Sequence, residues 1–274
     1  MRLPVGTAAG HTPRTLQPNS DGAVGKALGV LELGAAAGRP VRFSDLLPQS
    51  PFPKATLYRF LQTLTHQGML AFDEDRGTYA LGVRLVRLAH AAWAQSSLAP
   101  LARRYLDELA AASGETIHLA QMDNCQVLYV DKRNAAAPIE MFSSAGKVGP
   151  AYCTGVGKAM LAFLPEAEVA AAIDRQSFHR FTPRTLDNPA SLRQELGQVR
   201  ALGYALDREE HEPGIICCAV PILAANARGL GAVAITSATA RSTLAGLQGW
   251  ADRIKDTAAR IAAEAEGWRF PEAG

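Results

Sequence analysis

The chain is sparing with cysteine and lacks the familiar patterns built on it. Its 274 residues hold four cysteines, at 125, 153, 217 and 218, and no two are spaced as CxxC. That excludes a zinc ribbon and a disulfide framework, and it suits a reducing compartment. No run approaches the roughly 20 uninterrupted apolar residues of a membrane-spanning helix. The stretch MRLPVGTAAGHTPRTLQPNSDG has no apolar segment of signal-peptide length and is broken by Pro4, Pro13 and Pro18, so residues 1–20 read as a disordered tail. These absences predict a soluble, cytoplasmic protein that makes no membrane contact. No GxGxxG, Walker or nucleophile-elbow pattern occurs, which removes the usual nucleotide-binding and serine-hydrolase fingerprints. No internal repeat is visible either.

What is present is enough apolar material for folded cores, 48% of residues against 20% charged. The length exceeds one typical domain and predicts two. Net charge is only +2, from 28 basic and 26 acidic residues, too balanced for a wholly electrostatic nucleic-acid binder. The average hides a split. Up to Ser97 there are ten basic residues against six acidic; beyond it, eighteen against twenty. A basic first third on a slightly acidic body is the asymmetry of a nucleic-acid module joined to something else.

The spacing of apolar residues fills in that first third. Leu28, Leu31 and Ala35 mark a helix ending at Gly38 and Pro40. A short segment, Ser44 to Leu47, is stopped by Pro48 and Pro51, so the second helix is expected to be very short. A third helix, residues 53–67, is expected to open with Pro53 in its first turn. It turns Leu57, Phe60, Leu61 and Leu64 inward and ends at Gly68. MLAFDEDRGTYAL then alternates around a turn, a hairpin signal. Three helices and a hairpin over residues 21–81 describe a winged helix-turn-helix. Residues 82–97 carry two apolar stripes, Leu81, Leu85, Leu88, Ala92 and Val83, Val86, His90, Trp93, as a linker helix covered on two sides would.

The rest, residues 98–270, alternates strands and helices and reads as an α+β sensor-like domain. Strands are expected at 116–122, 126–131, 139–143, 204–207, 217–223 and 231–236. Helices are expected to start at Pro100, after the glycine-rich YCTGVG, at 166–174 and at 188–203, with one long helix at the C-terminal end.

On the third helix, Lys54, Thr56, Tyr58, Arg59, Gln62 and Thr63 point away from the leucine face. A recognition helix needs such groups for phosphates and base edges. Lys54 and Thr56 suit phosphate anchoring, and Arg59 suits guanine. Arg76, at the hairpin tip, suits a wing on the minor-groove backbone. A merely solvated helix face would look similar, but the flanking helices and wing favour double-stranded DNA.

In the second domain Thr154-Gly155-Val156-Gly157 leads into a helix. Its letters fit two readings equally: a helix start open to an anion, or a helix packed closely on a sheet. Glu209-Glu210-His211-Glu212 are consecutive, so they cannot converge on one ion without a special turn, and they read as solvated charge rather than a metal site. Cys217 as a catalytic thiol would need a histidine beside it that sequence cannot place.

By its motifs the chain resembles the isocitrate-lyase-regulator (IclR) family of bacterial transcription factors. GKALGVLELGAAAGRPVRFSDL, FPKATLYRFLQTLTHQGML and RGTYALGVRLVRLA are similar to its DNA-binding half and linker. GETIHLAQMDNCQVLYVDK, SSAGKVGPAYCTGVGKAMLAFLP, RFTPRTLDNPASLRQELGQVRALGYALDREEHEPG and CCAVPI are similar to its effector half, in order and spacing. Two departures are Lys26, where the family usually has arginine, and the two prolines before the recognition helix. The resemblance implies a ligand-responsive regulator with a GAF-like effector domain, acting as a homodimer or homotetramer on operator DNA. It implies a small carboxylate effector held by Met141, Gly155, Val156, Asp207, Cys217 and Thr236, with Ala234 and Thr236 standing where the family has paired serines. No cofactor, metal or catalytic residue is implied. Two rivals remain at this level: a small-carboxylate enzyme built on Cys217 and Asp207, and a DNA-binding protein whose second domain only oligomerises.

Overall fold

A computed structural model describes residues 22–138 and 140–266. The expected tail, Ile139 and the last four residues of the expected effector domain lie outside the described residues. Two compact units divide after Ala92.

The first unit builds a small core under three helices. Helix α1 (Gly22–Ala36) is followed by β1 (Val41–Arg42), α2 (Phe43–Leu46), a 3-10 turn (Leu47–Gln49) and α3 (Lys54–His66). Strands β2 (Leu70–Asp73) and β3 (Thr78–Leu81) form the hairpin, with β1 pairing on the far side of β3. The second helix is one turn long, as the prolines at 48 and 51 require. Pro53 caps α3 instead of entering its first turn: its ψ is extended at 150, and its carbonyl accepts from the N–H groups of Thr56 and Leu57. Leu57, Leu61 and Leu64 of α3 pack with Val30, Leu46, Leu70 and Tyr79. The hairpin turns at Gly77, whose φ of 62 suits a residue without Cβ. Helix α4 (Val83–Ser96) follows and runs past the division between the units.

The second unit is a six-stranded antiparallel sheet in the order β6-β5-β4-β9-β8-β7. Its strands are β4 (Thr116–Asp123), β5 (Gln126–Arg133), β6 (Val148–Pro150), β7 (Ala205–Arg208), β8 (Ile215–Leu223) and β9 (Gly229–Ala238). Helices α5 (Ala99–Ser113), α9 (Leu244–Gln248) and α10 (Ala251–Ala265) contribute to the core on one face. Helices α6 (Gly155–Leu161), α7 (Glu166–Asp174) and α8 (Pro189–Leu202) contribute to the core on the other. Alternation along β8 sends Cys217 into the second core and Cys218 into the first, as strand geometry requires. Helix α8 starts on the Asn188 side chain, which accepts from Ser191 N–H, and ends at Gly203.

Two expectations for the second unit are corrected. No strand forms over residues 140–143; the third strand lies later, at β6, because the Phe142 N–H is taken by the Glu212 carboxylate and not by a neighbouring strand. The terminal helix is two helices, α9 and α10, separated at Gly249 and Trp250, with Thr243 capping the first through Gly246 N–H.

Candidate DNA-facing helix and effector cavity

The first unit exposes a polar helix face. On α3, Lys54, Tyr58, Arg59, Gln62, Thr63 and His66 are exposed while Thr56 is half-buried. The packing of Leu57, Leu61 and Leu64 fixes the roll of the helix, so Arg59, Gln62, Thr63 and His66 share its outward side. The Gln62 amide donates to the Tyr58 hydroxyl at 2.8 Å, and the Thr63 hydroxyl donates to the Arg59 carbonyl at 2.9 Å. Arg76 stands at the wing turn, exposed, with Asp73 3.8 Å away. His66 was not singled out by the sequence; its exposure on the Arg59 side is the only signal.

The second unit holds a cavity enclosing about 420 Å³ of empty space, its open mouth included. His118 from β4, Tyr129 from β5, Cys217 from β8 and Ala234 and Thr236 from β9 line it. So do Gly155 and Val156 at the start of α6, Asp207 on β7, His211 and Glu212 after it, and Phe142 and Ser143 before β6. Gly155, Val156, Asp207, Cys217 and Thr236 are therefore brought together. Met141 is not among the lining residues; its neighbours Phe142 and Ser143 are.

A Cβ at Gly155 would overlap the Cys217 sulfur, and one at Gly157 would strike the Ala151 backbone. Gly155 thus allows α6 to lie close on β8, the packing alternative that the letters left open, while Gly157 lets the helix pack against the turn that leads into it.

His118 is the centre of the polar wall. Its Nδ1 is hydrogen-bonded to the Thr236 hydroxyl at 3.0 Å, and its Nε2 to the Ser143 hydroxyl at 2.7 Å. Burial, helped by Lys132, lowers its pKa to about 3, so the ring is neutral. Over the cavity, Phe142 packs edge-on to His211, which also meets Phe181, at centroid distances of 4.9 and 4.7 Å. Burial holds His211 down, to about 4.

The acidic run 209–212 is not solvated charge. Glu210 is 2% exposed and pairs at 2.5 Å with Lys158, which is itself fully buried on α6. Lys158 also donates to Glu195 at 3.0 Å and to the Leu206 carbonyl at 2.7 Å. Glu209 accepts from Gly214 N–H, and Glu212 from Phe142 N–H. Glu210 is the one buried residue of the run, its neighbours 209, 211 and 212 being half-buried, and the chain bends at Glu209 with a left-handed φ of 65 that nothing in the letters announces. No group of histidines, cysteines and carboxylates able to hold a metal occurs among the described residues.

Asp207 is 7% exposed and accepts from Glu210 N–H at 2.8 Å. Burial first, and then the neighbouring Glu210, push its pKa up to about 7. The Cys217 thiol is pushed well above its ordinary value by burial and by Asp207. It is a protonated packing group and not a ready nucleophile.

Comparison with known proteins decides the family. Residues 90–263 match the family described as "Bacterial transcriptional regulator IclR C-terminal", and residues 23–74 match the "IclR helix-turn-helix domain". The chain belongs to the IclR family. Among its IclR-family relatives, the HTH-type transcriptional regulator XynR of Escherichia coli is 31% identical over 85% of this chain and 92% of its own length. The regulator KdgR of E. coli is 31% identical over 90% of this chain and 94% of its own. The crystal structure of Thermotoga maritima IclR superposes with a TM-score of 0.72 at 28% identity, covering 89% of this chain and 98% of that one. As an IclR-family member the chain is a transcriptional regulator with a DNA-binding helix-turn-helix and a C-terminal effector domain. No described helix is long and apolar enough to cross a membrane.

Proposed function

We propose that the chain is a cytoplasmic regulator that binds operator DNA as a homodimer, with a homotetramer formed by pairing two dimers. In this reading α3 enters the major groove with Arg59 on a base edge. Lys54, Thr56, Tyr58 and Thr63 position it, and Arg76 brings the wing to the backbone. Residues 21–81 are the DNA-binding domain, 82–97 the linker and 98–270 the effector domain. The observation that carries the reading is a lined, half-open cavity in one unit and an exposed polar helix face in the other.

The effector in this reading is a small carboxylate that meets Asp207, Thr236, Gly155 and Val156, with Cys217 as packing and Met141, next in sequence to the lining Phe142, adding to the apolar wall. A missing hydroxyl at Ala234 makes room for a more apolar ligand than a two- or three-carbon keto acid. Val83, Val86 and Leu88 of α4 are more than half exposed, at 75%, 56% and 51%. That is more bare aliphatic surface than one helix leaves in water, and a second copy is the occupant that matches it.

The test is operator binding. Duplexes selected from a random pool supply the site, and carboxylates that raise the melting temperature supply the ligand. Saturating ligand is expected to change operator affinity several-fold, by favouring one of two placements of the recognition helices. Unchanged affinity with demonstrably bound ligand overturns the coupling.

A further inference from the structure

The cavity wall carries acids but no cation; Lys132 and Lys147 act on Glu212 from outside the lining, and Lys158 acts on Asp207 in the same way. Asp207 and Glu212 both line it, and among the described residues no lysine or arginine does. Lys158 and Arg208 are committed to Glu195 and Glu210. Neither histidine supplies a charge. His118 has both ring nitrogens on hydroxyls, and His211 is set among the rings of Phe142 and Phe181.

Donor bookkeeping sharpens the difficulty. A neutral imidazole has one N–H and one lone pair. Of the hydroxyls of Ser143 and Thr236, one therefore accepts from His118 and keeps its proton for a ligand. The other gives its proton to the ring and offers only lone pairs. From Ser143 and Thr236, then, a ligand with two anionic oxygens gains one hydroxyl donor, beside the Tyr129 hydroxyl and the start of α6 at Gly155 and Val156. Facing it is a buried carboxyl, and two like charges sharing a buried site do not both stay ionised.

We propose that a carboxylate effector enters this cavity together with one proton, which settles on Asp207 and converts it from an acceptor into a donor to the ligand. The inference rests on the carboxylate reading above. No covalent bond forms or breaks: an anion and a proton go in, and the cavity's charge is unchanged.

The groups facing Asp207 support this balance. From its own segment come Glu210, Glu212 and Arg208; α6 brings Lys158, β8 brings Cys217, β5 brings Tyr129, and Cys153 lies just before α6. Lys158 and the Glu210 N–H favour the anion, while burial, Glu210 and Glu212 oppose it. The opposing effects win, and Asp207 sits at about 7 before any ligand arrives. Cys217, Cys153 and Tyr129 are all pushed up and stay protonated.

The experiment uses the full chain. A thermal-shift panel of acetate, pyruvate and benzoate at about pH 6 selects a probe. Calorimetry at about pH 8, in two buffers of different ionisation heat, then counts protons taken up per site. The expected result is uptake of about one proton, with Kd rising about tenfold for each pH unit above neutrality. Asp207→Asn, which keeps a donor and cannot ionise, is expected to bind with no proton uptake and a pH-independent Kd. Binding to the wild-type chain with no proton uptake and a flat Kd overturns the inference, whatever the variant does. If no carboxylate shifts the melting curve, the carboxylate reading itself falls and takes this inference with it.

Discussion

The two candidate sites use charge in opposite ways. On α3 the polar groups stand in water on the outer side of a regular helix, and the helix does not need them to fold. Around the cavity the polar groups are buried, come from segments as far as 118 residues apart, and are held by one another. A site of the first kind is separable from stability; a site of the second kind is part of it. The contrast also explains why net charge, split between a basic first third and a slightly acidic remainder, says more about the DNA face than about the cavity.

The largest break in that comparison comes from Lys158. Lys158→Met leaves the buried Glu210 and Glu195 with only the half-exposed Arg208, at 3.7 and 2.8 Å, and is expected to cost about 3–5 kcal/mol. Chemical denaturation of the full chain reads this as an earlier transition of the second unit. A neutral outcome would mean the cluster is not a buried ion network in solution.

Next in size is a pH dependence. The Asp207 pKa is raised from 3.8 to about 7 on folding. A raised acid contributes stability that is full below about pH 4 and is lost as pH climbs through 7. The Asp207→Asn variant lacks this loss, so its stability relative to wild type should improve by roughly 2–4 kcal/mol between pH 4 and 8. A parallel pair of stability curves would contradict it.

Gly155→Ala is expected to cost about 1–3 kcal/mol by overpacking against Cys217. In a Cys217→Ala background the penalty should largely vanish, which a double-mutant cycle measures. Arg59→Ala tests the opposite limb of the comparison. Operator binding should weaken by about 1–3 kcal/mol with relaxed preference at one base position, while unfolding free energy moves by less than about 0.5 kcal/mol. The smallest effect belongs to Arg76→Ala, which should reduce the salt slope of DNA binding by about one counterion per subunit and leave sequence preference intact.

How much of this was legible beforehand follows the same divide. Helix spacing gave α3 and its outward face because period and exposure are local properties. Asn188 and Gly203 announced both ends of α8 for the same reason. The cavity was legible only through resemblance. His118 meets Ser143 and Thr236 by strand pairing and a covering segment, and neither leaves a local pattern. The run 209–212 looked solvated because a run of polar, charged letters usually is; it is half-buried, with Glu210 drawn in by Lys158, a partner far away in sequence. The misplaced third strand has a similar origin. Phe142 and Ser143 line a cavity instead of joining a sheet, and the local letters do not separate the two roles.

The opposite facing of Cys217 and Cys218 has a consequence for how such a pocket changes its ligand. On β8 and β9 the odd and even positions serve separate masters: Cys217, Ala234 and Thr236 look into the cavity, while Cys218, Val233 and Ile235 sit in the core that includes α5 and α10. Under the proposed effector reading, ligand preference is therefore written on every second letter of these strands, and the letters between are reserved for holding the fold. A change of side chain at 234 or 236 is then expected to re-tune what the cavity accepts; an insertion of one residue in β9 would exchange the two texts and erase both.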